Sequence, residues 1–340
     1  TGRAALEAAG SVAAEDEVAI GGYERVAGPN GEAQYFARDL AEASRILHRH
    51  YRFSYVVPGE AGPRLLGTED TMVRDIRETA YAGEEAGFTS LGDLFDEEKN
   101  PGRKKPFAMR ALMAATADTD TEPLERWRDW EGGETAIVWD TSLGGQPVCL
   151  MGIESRNVAR LGHRPLDGPA EWTGGTLFPH SSRKVSRALQ ACSGNRPVVV
   201  LANLSGFDGS PESMRNLQLE FGADIARAVV NFEGPILFLV VSRYHGGAYV
   251  VFSQELNAQL RASALEGAHA SVIGGVAAAQ VVFAREVENR ARLEEGVLAA
   301  ERAHENAPGT AARIHLDQAL LEARLQARLA VAAEFDAIHS

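Results

Sequence analysis

Tyr244-His245-Gly246-Gly247-Ala248-Tyr249 follows a short apolar run, Pro235–Val241, and leads into a helix beginning near Tyr249. Glycines without side chains let a ligand reach the main chain, and N–H groups at a helix start favour negative charge. Such a turn can hold a developing oxyanion, although paired glycines also simply make a tight turn. A second loop, Asn203 to Gly209 (NLSGFDG), follows another apolar run, Pro197–Leu201. Both runs are short, rich in Val, Ile and Leu and bounded by turn residues, as buried strands are. Between them Pro211 starts a helix with Met214, Leu217, Phe221, Ile225 and Val229 at helical spacing. Strand, loop, helix, strand, loop and helix, joined by a right-handed crossover, bring both loops to one edge of a parallel sheet, where ligands bind.

The stretch from Arg196 to Ser253 resembles the C-terminal half of the carboxyltransferase component of biotin-dependent acyl-CoA carboxylases. Phe207 in its loop, the helix carrying Phe221-Gly222-Ala223, and Gly-Gly-Ala-Tyr at 246–249 match in order and spacing. The resemblance implies an α/β, crotonase-like fold: a spiral of ββα repeats with a long C-terminal helical hairpin. It implies an oxyanion hole at the amides of Gly247 and Ala248, next to Gly246, with Gly206, Phe207, Tyr249 and Val250 at the substrate. Eukaryotic relatives have Arg-Gly-Gly-Ser-Trp where this chain has His245 to Tyr249, so one cation that could meet a carboxylate is replaced. At Val250 relatives vary, and an apolar residue suits a longer acyl group as well as it suits core packing.

Gly152-Ile153-Glu154-Ser155-Arg156 resembles the Gly-Val-Glu-Thr-Arg segment of eukaryotic acetyl-CoA carboxylases. The likeness implies that Arg156 contacts a substrate carboxylate. A guanidinium fork pairs bidentately with that group, although an arginine at a strand end is commonly a structural ion pair. The stretch 270–276, with Gly274 and Gly275, resembles an edge loop on the biotin-facing side of the family.

The other chemistry-bearing residues read more plainly. His48 and His50 are two apart on a helix and point to different sides, which argues against a metal pair. His180 has no identifiable carboxylate partner for general-base work, and Ser181 and Ser182 read as N-caps. Cys149 and Cys192 lack ligand spacing; Cys149, in a strand-like run, reads as a small buried hydrophobe. We expect no metal site.

Several elements must hold these residues in place. Asp39–Tyr51 reads as an amphipathic helix with Leu40, Ala43, Ile46, Leu47 and His50 on one side, and 58–67 as a linker. The periodicity suggests helices over Thr68–Tyr81 and Phe107–Ala115, separated by a charged, solvated loop over Asp93–Lys105 that could instead face CoA phosphates or a partner. Thr135–Trp139 and Pro147–Ile153 read as a hairpin around Gly144-Gly145, and 179–192 as a helix carrying Val185, Leu189 and Cys192. Val276–His304 and Arg313–Phe335 read as an antiparallel helical hairpin.

With 340 residues, 45% of them hydrophobic, the chain can bury a large core. A net charge of −13 and a pI near 5.2 argue against nucleic acid or an anionic membrane as the main partner. No stretch is long and apolar enough to span a bilayer, the start is not a signal peptide, and the expected setting is cytoplasmic. The chain starts at Thr1 without Met, and both ends look cut. Residues 1–66 resemble the tail of the carboxyltransferase N-terminal half plus a linker, and 67–340 the C-terminal domain, with the hairpin at about 276–335. The resemblance implies biotin, carried on another domain, as cofactor and an acyl-CoA as substrate. The implied partners are the biotin carboxylase and biotin carrier domains, the N-terminal carboxyltransferase half, and further copies of the chain in an oligomer such as a hexamer. Another crotonase-like CoA enzyme, a hydratase or decarboxylase, and a non-catalytic assembly scaffold are the alternatives.

Overall fold

The computed structural model describes residues 2–10, 17–70, 73–85, 87–166, 168–271, 283–307 and 309–339. The chain divides into two compact units, residues 1–270 and 271–340.

The first unit is built on a mixed sheet. Its strands are β1 (Leu124–Glu125), β2 (Ala136–Leu143), β3 (Gln146–Ile153), β7 (Val198–Leu204), β9 (Ile236–His245) and β10 (Leu260–Ala264), in the order β1-β2-β3-β7-β9-β10. Four short strands lie outside it: β4 (Val158–Ala159) pairs β5 (Glu171–Trp172), and β6 (Thr176–Leu177) pairs β8 (Gly206–Phe207). Strands β2 and β3 form the expected hairpin, because Gly144 and Gly145 take φ of 57° and 78°, the left-handed values a tight two-residue turn requires. From β3 to β10 the pairing is parallel.

The apolar run in β7 lacks a polar alternation because both its faces are buried, whereas on β9 one face is partly open and leaves Leu237 exposed. Val198, Val200, Ala202 and Leu204 lie in one cluster with Val185 and Leu189 of α5 (Pro179–Cys192) and Ile225 and Val229 of α7 (Gln218–Val230). Val199 and Leu201 face a second cluster with Met109 and Met113 of α4 (Met109–Thr116) and with Leu91, Leu94 and Phe107. At the far side, α3 (Leu40–Ser54), N-capped by Asp39, packs against β1, β2 and β3.

Several expectations are corrected. The helix expected over 68–81 is absent; among its described residues only Ile76–Glu78 make a 3-10 turn, and Ala80 bridges Ser90. The charged stretch 93–105 is not simply solvated: Asp93, Asn100 and Arg103 are buried, and Arg103 donates to the Val241 carbonyl at 2.9 Å. The helix from Pro211 breaks. A short α6 (Pro211–Arg215) ends before Leu217, whose φ of 67° starts α7 in a new direction and leaves Met214 and Leu217 exposed. On α3 the inward stripe is Ala43, Ile46, His50 and Phe53, while Leu40 and Leu47 face solvent.

The second unit is the expected hairpin, with a break. Helices Ala284–Arg292 and Glu295–Glu305 face Thr310–His339, and the expected start at Val276 lies outside the described residues. The antiparallel sense shows in its ion pairs, Arg290 with Glu334, Glu301 with Arg324 and His304 with Asp317. Val287, Ala291, Val297, Ala327 and Val331 form its core.

Candidate functional site

Strands β7 and β9 end side by side, and their following loops meet. A Cβ on Gly206 would lie 3.6 Å from the His245 carbonyl oxygen, and one on Gly246 would lie 3.7 Å from the Gly206 Cα. Gly206 has φ of 133° and Gly246 φ of 64°, so both take backbone shapes that a side chain disfavours. Gly246 then opens α8 (Gly247–Val251).

Phe207 explains two further glycines. A Cβ on Gly247 would come 2.7 Å from the Phe207 Cδ2, and one on Gly222 of α7 would come 3.3 Å from its Cε2. The ring is thus wedged between the two helices, and Gly-Phe, Phe-Gly-Ala and Gly-Gly-Ala form one packing unit. Gly247 is exposed while Ala248 is fully buried. At the first turn of α8, the amides of Gly247 and Ala248 donate to no group among the described residues, whereas Tyr249 N–H is already bonded to the Gly246 carbonyl at 3.0 Å. Two adjacent free donors beside bare glycine backbone are what an oxyanion requires. Tyr249 and Val250 are exposed; Tyr249 lines a cleft of about 440 Å³ with Tyr244, Phe252 and Ala262.

Arg156 lies beyond the end of β3 and does not touch this turn. A loop lies between: Gly174 is pressed against Ser155, and Gly175 accepts from Ser205 N–H at 2.6 Å while donating to the Glu154 carbonyl at 2.6 Å. Glu154 is fixed, its Oε1 accepting the amides of Met109 at 3.1 Å and Ser155 at 2.9 Å, which caps α4. Arg156 sits between two carboxylates, with Nη1 donating to Glu85 Oε1 at 3.1 Å and Nε 3.6 Å from Glu154 Oε2. Burial opposes ionisation of Glu85, but the Tyr81 hydroxyl and Arg156 outweigh it and hold its carboxyl below the usual range. The Glu85 partnership was not visible in the sequence, since the two residues lie 71 apart in an unpatterned stretch.

Gly274 and Gly275 lie outside the described residues. His180 is exposed, its Nδ1 donating to the Glu131 carbonyl at 2.7 Å. Ser181 is not the N-cap of α5, which is Phe178; its hydroxyl, in the first turn, reaches back to accept the Phe178 amide at 2.7 Å. Ser182 is buried and accepts from Gln218 Nε2 at 3.0 Å. His50 hydrogen-bonds to the Tyr35 hydroxyl, and among the described residues no group of three His, Cys, Asp or Glu side chains is placed to hold a metal. Cys149 and Cys192 are both free and buried.

The sequence matches the model of the carboxyl transferase domain family over residues 1–338. The chain belongs to this family. An acetyl-CoA carboxylase of Cryptosporiopsis sp. (strain 8999) is 27% identical over 190 residues, which are 52% of this chain and 8% of that protein. The Saccharomyces cerevisiae acetyl-CoA carboxylase is 29% identical over 176 residues, 48% of this chain and 8% of its own length. The matched segment is thus a small part of these relatives. Two transcarboxylase 12S structures have the same fold, each with a TM-score of 0.64. One, 17% identical, covers 95% of this chain and 52% of its own; the other, 18% identical, covers 100% and 59%. The first is a hexameric multienzyme core with methylmalonyl-coenzyme A and methylmalonic acid bound. The fold of this carboxyl transferase domain is therefore crotonase-like, as the sequence motifs implied.

Proposed function

We propose that this carboxyl transferase domain moves a carboxyl group from carboxybiotin to the α-carbon of an acyl-CoA, as part of a biotin-dependent acyl-CoA carboxylase. The observation that carries the reading is the pair of free amides at Gly247 and Ala248, set on bare backbone in a chain of this family. Carboxybiotin, when bound, supplies the carboxyl group and the base that takes the α-proton. The chain's own work is to hold negative charge as it develops. Gly247 and Ala248 N–H donate to an oxyanion; Gly206, Gly246 and Phe207 shape the turn that carries both amides; Tyr249 and Val250 flank it. Arg156 meets the substrate carboxylate. Preorganised donors of this kind need no reorganisation during the reaction, and one such donor is typically worth ~10²–10³ in rate.

Residues 1–66 in this reading are the end of an N-terminal carboxyltransferase half, and 67–340 the C-terminal domain. The biotin carrier, the biotin carboxylase and the remaining half complete the enzyme, in a cytoplasmic homo-oligomer, with a hexamer the arrangement we favour. The described helices include none long and apolar enough to cross a membrane.

The test is the reverse reaction, decarboxylation of malonyl-CoA and methylmalonyl-CoA with free biotin, by the full-length polypeptide and by the 340-residue chain. Turnover by the full-length protein is expected, and Gly247→Pro, which removes one donor, should lower it ~10²–10³-fold. A folded full-length protein inactive on both substrates would overturn the assignment.

A further inference from the structure

The ion pairs of the first unit differ in how firmly they are held. Arg110 grips Glu125 through two hydrogen bonds, at 2.6 and 2.8 Å, and Arg160 grips Glu212 at 2.9 and 2.8 Å. Arg156 holds Glu85 through one, at 3.1 Å, and its side chain is 35% exposed. Its other carboxylate neighbour is held elsewhere, because Glu154 Oε1 accepts the Met109 amide at the start of α4 and the amide of Ser155. Glu85 is therefore the partner that can leave.

The surroundings suit an exchange. Arg156 opens on a cleft of about 380 Å³ lined by Ala82, Gly83, Ala108, Arg110 and Ala111. Glu85 is carried on an irregular segment and is hydrogen-bonded from the Tyr81 hydroxyl, which itself accepts the Ala108 amide at 2.7 Å. Gly83 makes this wrap feasible, since a Cβ there would collide with both Tyr81 and Glu85. When Glu85 departs, a guanidinium edge and a phenol donor are released together, and an incoming carboxylate could take the two-pronged geometry that Glu85 does not.

We propose that Glu85 stands in for the substrate carboxylate on Arg156, so that a carboxylated acyl-CoA must displace it, and that Glu85 thereby sets the preference between carboxylated and uncarboxylated acyl-CoA. The inference rests on the reading of Arg156 as the carboxylate contact. An uncarboxylated acyl-CoA leaves the Arg156–Glu85 pair intact, whereas malonyl-CoA must break it. Glu85 so weakens malonyl-CoA selectively and favours release of carboxylated product.

The test uses the full-length enzyme and compares KM for malonyl-CoA with KM for acetyl-CoA in the wild type, Glu85→Gln, Glu85→Ala and Arg156→Lys. Both Glu85 variants should shift the ratio towards malonyl-CoA by about two- to fivefold, the worth of a half-exposed ion pair. Arg156→Lys should shift it the other way. An unchanged ratio in folded Glu85→Gln, with Arg156→Lys still discriminating, would overturn the role of Glu85 alone. Equal weakening of both ligands by Glu85→Gln and Glu85→Ala would mark Glu85 as structural. An Arg156→Lys enzyme that weakens both ligands equally would instead remove the carboxylate contact, and the proposal with it.

Discussion

The two ends of strands β7 and β9 are built on opposite principles. At the start of β7, charge is locked inside: Asp140 of β2, fully buried, accepts from Arg126 Nε at 2.7 Å and from Arg196 Nη2 at 2.5 Å. Tyr35 adds a hydrogen bond at 3.2 Å, and Asn195 ties the Arg196 guanidinium at 2.7 Å and the Ser54 carbonyl at 2.5 Å. At the far end, Gly206, Gly246 and Gly247 carry no side chains, and the Gly247 and Ala248 amides donate to no group among the described residues. One end spends side-chain charge on binding α3 and the strands together, and the other leaves main-chain dipoles for a ligand. A rigid anchor at the first end lets the second be bare, because free donors keep their aim only where the strands behind them do not shift.

Asp140→Ala leaves two buried guanidiniums without their shared carboxylate and should cost about 3–5 kcal/mol in urea unfolding. Acid should do the same more gradually. Burial opposes ionisation of Asp140, but Arg196 and Arg126 outweigh it and its folded pKa lies below the unfolded value. Its contribution is present above about pH 4 and is lost as the pH falls through the folded pKa, where the native state binds a proton only reluctantly. A variant of unchanged stability would show that this end is not the anchor.

Gly247→Ala tests the bare end. The new Cβ would press on the Phe207 ring at 2.7 Å, so the ring or the turn must move, and carboxyl transfer should fall by about a hundredfold while the unfolding transition changes little. Phe207→Leu alone should cost less, and combining the two should restore part of the rate. A double-mutant coupling of about 0.5–3 kcal/mol in the transfer step is expected for residues in such contact. Strict additivity would mean that the wedge does not set the turn.

The bare end was legible in the sequence because its residues are local and of unusual type. Gly-Gly-Ala-Tyr and the loop at 203–209 each sit just after an apolar run, and a parallel sheet brings such loops to one edge. The strands read correctly for the same reason, as short runs of Val, Ile and Leu bounded by turn residues, with β7 buried on both faces. The anchor was not legible. Asp140 meets Arg126 and Arg196 from 14 and 56 residues away, and each looks in sequence like one charge among many. The failure over 68–81 has a similar cause: helical spacing was present, but Asp70 is held by Arg74 and by the Thr119 amide, which bind the segment to the 117–120 loop as an irregular strap. Leu217 shows the limit of periodicity, since a single left-handed residue turned a continuous stripe into two helices.

Lys184, on α5 between the two ends, gives the smallest and most discriminating effect. It is fully buried, its Nζ donates to the Gly133 carbonyl at 3.3 Å and to no other group among the described residues, and burial pushes its pKa down from 10.5 to about 8. The unfolded chain therefore holds more protons than the folded one between about pH 8 and 10.5, so this residue makes stability rise with pH across that window. Lys184→Met should remove that slope and stabilise the protein by about 1–2 kcal/mol at pH 7, less than the full desolvation cost because the Gly133 carbonyl loses a donor. The readout is the difference in unfolding free energy between wild type and variant from pH 7 to 10, which cancels the tyrosines that titrate in both. A constant difference would mean that Lys184 is solvated or paired when charged, and α5 would then join the anchored end rather than stand between the two.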